Sequence, residues 1–215
     1  DESMPDLPGQ KRKVTDAVNG ARSTMQQAAG AAIFNARVVQ ALNKTSSNIM
    51  IADANNDILF MNETVTTMMQ RNEAELRKVL PQFDARKLIN QNIDIFHKNP
   101  AHQRGLLASL AATYRTQIQV GSLYFGLVAS PIVSDQGVRL GTVVEWIDRT
   151  VEVGIEKEVA AVVAGAAAGD FSQRLSAEGK TGFFAGLATG MNQLMDTSEQ
   201  GLTDVSDLPA AFAEG

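Results

Sequence analysis

Three alternating segments between residues 114 and 148 constrain this chain more than any other feature. "YRTQIQV" places Tyr114, Thr116, Ile118 and Val120 on one face, with Arg115, Gln117 and Gln119 on the other. "SLYFGLVASPIV" carries Leu123, Phe125, Leu127 and Ala129 on one face. After the turn "SDQG", "RLGTVVEWID" aligns Leu140, Thr142, Val144 and Trp146. Side chains on a strand alternate between two faces, so each segment predicts a strand with one buried side. A sheet of this kind needs a covering layer, which the rest of the chain must supply.

Earlier residues provide it. "NIMIAD" and "DILFMN" are apolar runs separated by "ANN", the composition of a hairpin turn. Asn62 is placed to cap a helix running through Met68 and Met69. Residues 72–92 read as short helical turns broken by Pro81. Asn99 followed by Pro100 predicts a helix starting there and reaching about Ala112, because proline suits the first helical position. The order is two strands, several helices, then three strands. It predicts an α+β domain, an antiparallel five-stranded sheet with helices on one face.

The flanks differ. From Lys11 to about Asn43 the chain is rich in Ala and Gln, and Ala31, Phe34, Val38 and Leu42 share one helical face. Gly20 and Gly30 weaken that pattern, so a continuous helix is expected only from about Ala21. Beyond Thr150, Ile155, Val159, Val162 and Ala166 are spaced 4, 3, 4. Phe184, Leu187, Met191 and Leu194 are spaced 3, 4, 3 after a glycine-punctuated connector. Two short heptad helices of this kind need a partner chain, and a parallel four-helix bundle in a dimer would satisfy them.

Composition removes whole classes of function. A net charge of -5 gives no electrostatic footprint for nucleic acid. The chain has no cysteine, which excludes disulfides, thiolate metal sites and cysteine nucleophiles, and fits a cytoplasmic protein. No apolar run reaches the roughly 18 residues of a membrane helix. The chain begins without Met and reads as a fragment of something longer. No phosphate loop or Ser/His/Asp spacing suggests an enzyme.

Both histidines fall within "IDIFHKNPAHQ", residues 93–103. Five residues apart on a helix they would diverge by about 140 degrees. With no cysteine at hand, they do not make a zinc site. His97 lies ahead of the helix and is either a loop histidine or a metal ligand; His102 lies in the first helical turn.

Residues 47–150 resemble a PAS sensor domain, on "MIADANNDILFMN" and the terminal "EWIDRT". Residues 151–205 resemble a HAMP relay, on "AAGDFSQRL" and "GMNQLMD". The combination is that of bacterial methyl-accepting chemotaxis receptors. "FHKNPAHQRGLL" is similar to the haem-binding PAS of soluble, aerotaxis-type oxygen-sensing chemoreceptors with multiple HAMP modules. Residues 1–46 would then be a helical leader, and residues 206–215 would open a following helix or second HAMP.

The resemblance implies that the PAS domain binds haem b with His97 as the iron ligand. His102, Phe96, Leu106 and Leu107 would line the cofactor, and Trp146 and Leu127 would contact a diatomic gas, oxygen foremost. Asp148, Arg149 and Thr150 would pass the signal to the first HAMP helix, which ends at Gly169 and Asp170. It also implies a homodimer through the HAMP helices. A chemotaxis kinase and its adaptor would be reached only through regions absent from this chain. Two alternatives stand beside it: a PAS domain binding FAD for redox sensing, and a cofactor-free PAS acting as a dimerisation and relay module. Without the resemblance, Trp146, Phe96, Leu106 and Leu107 are equally good core residues.

Overall fold

The computed structural model describes residues 9–97 and 100–213, without the side chains of residues 10, 102 and 206–213. It divides into two compact units. One runs to Gly121 and resumes over Gly126–Ile147; the other joins Ser122–Phe125 to the residues from Asp148 onward.

The first unit opens with α1, Gln10–Asn43, a single helix of 34 residues. Gly20 and Gly30 do not interrupt it, contrary to the expected start near Ala21. Each costs about 1 kcal/mol relative to Ala, which a long run of Ala, Gln, Arg and Met absorbs. Nearly every residue of α1 is exposed, including Ile33, Phe34 and Val38.

The expected hairpin follows as β1, Asn48–Asp53, and β2, Ile58–Met61. Its turn is built by Asp53, whose carboxylate accepts from the N–H groups of Asn55 and Asp57, both at 2.8 Å. Asn56 takes the left-handed conformation at φ 70°, which asparagine tolerates better than most residues. Asn62 then caps α2, Glu63–Arg71, by accepting from the N–H of Val65. Its amide group also donates to the carbonyls of Leu42 and Ser47, at 2.9 and 2.8 Å, so one buried side chain joins the end of α1, the start of β1 and the head of α2.

α3, Glu73–Val79, stops short of Pro81 as expected. A 3-10 turn, Ile93–Phe96, precedes α4, Pro100–Ala108. Asn99, the expected cap of α4, lies outside the described residues. The helix ends four residues before Ala112, where the Ser109 hydroxyl donates to the Gly105 carbonyl at 3.0 Å and competes with continuation of the ladder.

β3, Tyr114–Val120, β4, Leu123–Val133, and β5, Arg139–Asp148, complete a five-stranded sheet of order β2-β1-β5-β4-β3. β1 pairs antiparallel with both β2 and β5, placing Met50 opposite Val144 and Asn48 opposite Trp146. The α+β fold with a five-stranded antiparallel sheet is therefore as the sequence predicts. Leu140 departs from the expected inward face and is 53% exposed. The irregular backbone at Gly141, φ 156°, breaks the alternation one residue later, and Thr142, Val144 and Trp146 resume it.

The second unit holds α5, Thr150–Ala167, and α6, Gly182–Ala213. Val162, Leu175, Ala188 and Met195 are buried together, with Val159, Ala166, Phe171 and Met191 against them. The α6 seam is thus offset from the expected one: Ala188 and Met195 are inside, while Leu194 is 56% exposed. The connector supplies Phe171 and Leu175, so part of both helices is covered within one chain, and the need for a partner applies only to the rest.

The direction of α6 follows from its contacts. Gln173 in the connector lies against Gly165 near the end of α5, whereas Lys180 pairs with Glu158 a helical stretch earlier, at 2.7 Å. The connector therefore runs back along α5. Leu175 and Asn192 exchange two hydrogen bonds, and Arg174 pairs with Asp196 and Glu199 farther along α6. Hence α6 starts beside the middle of α5 and runs parallel to it.

Candidate ligand-binding site

The inward positions of the strands, the 3-10 turn with His97, and α4 line a cavity of about 560 Å³ in the first unit. Its sheet side is formed by Met50, Thr116, Ile118, Leu127, Ala129, Val144 and Trp146, and its helical side by Phe96, His97, Gln103, Leu106 and Leu107. The volume lies within the roughly 300–1,000 Å³ usual for small-molecule sites, and most of the wall is apolar.

His97 caps the 3-10 turn in an extended conformation, φ -124° and ψ 130°. That geometry ends the turn and lets the imidazole fold back to place Nδ1 2.9 Å from the carbonyl oxygen of Ile93. A carbonyl only accepts, so the neutral ring carries its proton on Nδ1 and leaves the Nε2 lone pair available. Burial lowers the imidazole pKa from its ordinary value, outweighing the opposing Ile93 hydrogen bond and the charge of Asp94. The neutral form is favoured.

Two contacts hold this loop. Phe96 packs between Phe83 and Trp146, with ring centroids 5.8 and 5.4 Å away at tilted angles. Asp94 and Arg104 form an ion pair bridging the 3-10 turn and α4, in which Arg104 Nε also donates to Asp94 Oδ1 at 3.2 Å. The 3-10 turn that leads to His97 is thereby tied to Phe83, Trp146 and α4.

The cavity brings together Phe96, His97, Leu106, Leu107, Leu127 and Trp146, six of the seven residues singled out for cofactor binding. The seventh, His102, lies in the first turn of α4, and its side chain is outside the described part. Asp148, Arg149 and Thr150 lie elsewhere, at the start of α5. Asp148 accepts from the N–H of Thr150 at 3.1 Å. The Thr150 hydroxyl accepts from the N–H of Tyr124 at 3.1 Å, and Arg149 N–H donates to the Tyr124 carbonyl at 2.8 Å. Gly169, at φ 88°, ends α5, and Asp170 folds the connector by accepting from Ser172 and Gln173. These hydrogen bonds lower the Asp170 pKa, that from the Ser172 side chain first.

Sequence reasoning did not single out Gln103. Its side-chain carbonyl oxygen is buried without a hydrogen-bond partner among the described residues, at the edge of an otherwise apolar cavity. Its position four residues before Leu107 on one helix face was the available signal. Met50 was also passed over, although the hairpin register that sets it opposite Val144 follows from the alternation.

Over 219 residues the chain is 47% identical to the methyl-accepting chemotaxis protein McpB of Pseudomonas aeruginosa. The chain is a homologue of a segment of a methyl-accepting chemotaxis receptor. The match takes in 99% of this chain and 32% of that receptor, so the chain spans about a third of the relative's length. No protein-family model matches. A solved structure of the Aer2 receptor from Vibrio cholerae, described as a dual PAS-haem oxygen sensor, is 35% identical. That match covers 47% of this chain and 93% of the other, with a TM-score of 0.45. A PAS domain from Colwellia psychrerythraea is 15% identical over 55% of this chain and 98% of its own, with a TM-score of 0.40. No helix among the described residues of this receptor homologue is long and apolar enough to cross a membrane.

Proposed function

We propose that the first unit is a PAS gas sensor that binds haem b through His97, and that the second is a HAMP module relaying its state to a chemotaxis signalling region. The observation that carries the reading is the hydrogen bond between His97 Nδ1 and the Ile93 carbonyl, at the wall of an apolar cavity. It fixes the tautomer whose Nε2 can ligate, and backbone carbonyls commonly orient metal-binding imidazoles this way. Haem iron held by one histidine keeps its opposite face open to a diatomic gas.

The residues present fit that group. Phe96, Leu106, Leu107 and Leu127 offer apolar contact to a flat macrocycle. Gln103 has an unsatisfied polar atom at the cavity edge, where a carboxylate could take its amide N–H once the side chain turns over. Trp146 on β5 would present its indole N–H to the bound gas, with Leu127 beside it. Its strand ends at Asp148, two residues before α5 begins, so a shift of β5 would be felt at the head of that helix.

The parallel α5–α6 pair and its returning connector support the HAMP reading. The apolar positions left exposed, Phe183, Leu194, Leu202 and Val205, support pairing with a second copy in a four-helix bundle. Such a bundle can repack between two seams, which a sensor needs, because a ligand shifts only an equilibrium between states it binds differently. The unit is thus a binding and relay module with no catalytic step.

The test is the visible spectrum of protein produced with haem available, reduced and then exposed to oxygen, alongside His97→Ala. An intense Soret band that moves with oxygen and is lost in the variant is expected. A flavin spectrum, or haem retained unchanged in the variant, would overturn the assignment.

A further inference from the structure

Three consecutive charged residues in the first half of α5 each reach a different partner. Glu156 pairs with Arg149 at 2.9 Å, and Glu158 with Lys180 at 2.7 Å. Lys157, between them, goes to Tyr124: its Nζ lies 4.5 Å from the ring centroid and donates to the phenol oxygen. Tyr124 is the second residue of β4. Its backbone already holds the head of α5, because its N–H donates to the Thr150 hydroxyl and its carbonyl accepts from the N–H of Arg149.

The head of β4 and α5 therefore meet at two points. An anchor at Thr150 alone would leave the helix free to swivel. Lys157 stands seven residues on, about 10 Å along the axis, and a second anchor there fixes the direction of the helix. Gly154 lies between the two. It is the weakest helix former of the interval, and nothing stands within 4 Å of a Cβ added there. The backbone is thus softest in the stretch that the two anchors span.

We infer that the Tyr124–Lys157 contact closes a second route from the cavity to α5, one that runs through β4 rather than β5. What the route would carry rests on the ligand-sensing reading of the first unit. Tyr124 is three residues from Leu127 and five from Ala129, both on the cavity wall. Leu123 and Phe125, on either side of it, are buried, so the strand does not slip without losing their packing. A displacement of β4 at the cavity is delivered to Tyr124. A cation over an exposed ring is worth about a two- to fivefold change in an equilibrium. That is small enough for a ligand to open the contact, and large enough for the contact to bias α5.

Three variants test it. Lys157→Met keeps the stem and removes the charge, Tyr124→Leu removes the ring, and Tyr124→Phe keeps the ring face. Amide hydrogen exchange read by mass spectrometry follows α5 over residues 150–160, β4 over residues 125–130 and, as a reference, the β1–β2 hairpin. Lys157→Met and Tyr124→Leu should each speed exchange about two- to fivefold in both α5 and β4, with the hairpin unchanged. The double variant should be no faster than either, and Tyr124→Phe should stay closer to the native rate than Tyr124→Leu. Unchanged rates in α5, or additive effects in the double variant, would overturn the role of the contact. A change confined to α5 would overturn the route through β4. The comparison is run on protein purified with haem and without it, and the differences between variants should appear in both. A failure to load haem would therefore count against the assignment of the cavity, while exchange alone decides this inference.

Discussion

The carbonyl oxygen of Ile93 lies 2.9 Å from Nδ1 of His97, across one turn of 3-10 helix. The bond orients a histidine whose pKa is lowered mainly by burial. Folding therefore favours the neutral ring. Above the ordinary value of 6.5 both folded and unfolded chains carry it neutral, and its contribution to stability is complete. As pH falls below 6.5 the unfolded chain takes up the proton first, and stability declines until the folded pKa is passed. In haem-free protein, the difference in urea midpoint between the native chain and His97→Gln should change between pH 7.5 and pH 5.5, with the native chain losing more on acidification. A pH-independent difference would contradict it.

Asn62 makes the next prediction. It is fully buried and holds α1, β1 and α2 through both ends of its amide. Asn62→Ala removes a cap worth about 1 kcal/mol and strands several buried backbone groups, each costing about 1–3 kcal/mol, so a total loss of about 3–5 kcal/mol is expected. Asn62→Asp keeps the acceptor to Val65 but loses the donors to Leu42 and Ser47. It also turns a buried carboxylate oxygen toward those two carbonyls, so denaturant titration should place it well below the native protein.

Arg104 tests how the ligand loop is held. Its ion pair with Asp94 is solvent-exposed on the arginine side, so Arg104→Gln should hardly change stability. The pair nevertheless ties the turn carrying His97 to α4. If the cavity holds haem as proposed, its dissociation, followed by transfer to an acceptor protein, is expected to be several-fold faster in the variant while the urea midpoint hardly moves. Equal release rates would show that packing of Phe96 alone positions the loop.

The strands were legible because their inward residues alternate in burial from Thr116 to Val120 and over Leu123 and Phe125, although Tyr114, at the start of β3, is exposed. Where alternation fails, so does the reading: Leu140 faces out because Gly141 departs from regular strand geometry, which no pattern of apolar residues discloses. Helix ends were harder. α1 extends through two glycines because length outweighs local cost, and α4 ends early because Ser109 bonds back to its own helix. In α6 the buried set is Ala188 and Met195 with Met191 against them, and an alanine carries no hydropathy signal strong enough to fix a seam beside Leu187 and Leu194. The cavity wall was largely legible as inward strand positions plus the motif around His97. Gln103 was not, since its significance lies in an unmet hydrogen bond that only the packed structure exposes.

Gly141 and Gly30 give paired predictions of opposite sign. At Gly141, φ is 156°, and an added Cβ would stand 2.1 Å from the carbonyl oxygen of Ala52 and 3.1 Å from the Cα of Asp53. The obstructing atoms are backbone of β1, the strand paired with both β2 and β5, so nothing flexible can yield. Gly141→Ala must part β1 from β5 at that point or bend both strands, with an expected loss of about 3 kcal/mol or more. Gly30 is helical, with nothing within 4 Å of its added Cβ. There, alanine restricts the unfolded chain and favours the helix, so Gly30→Ala should stabilise by about 0.5–1 kcal/mol. Thermal unfolding of the two variants beside the native protein separates the cases. A Gly141→Ala protein as stable as the native one would mean that β1 and β5 are not paired at Asp53 and Gly141.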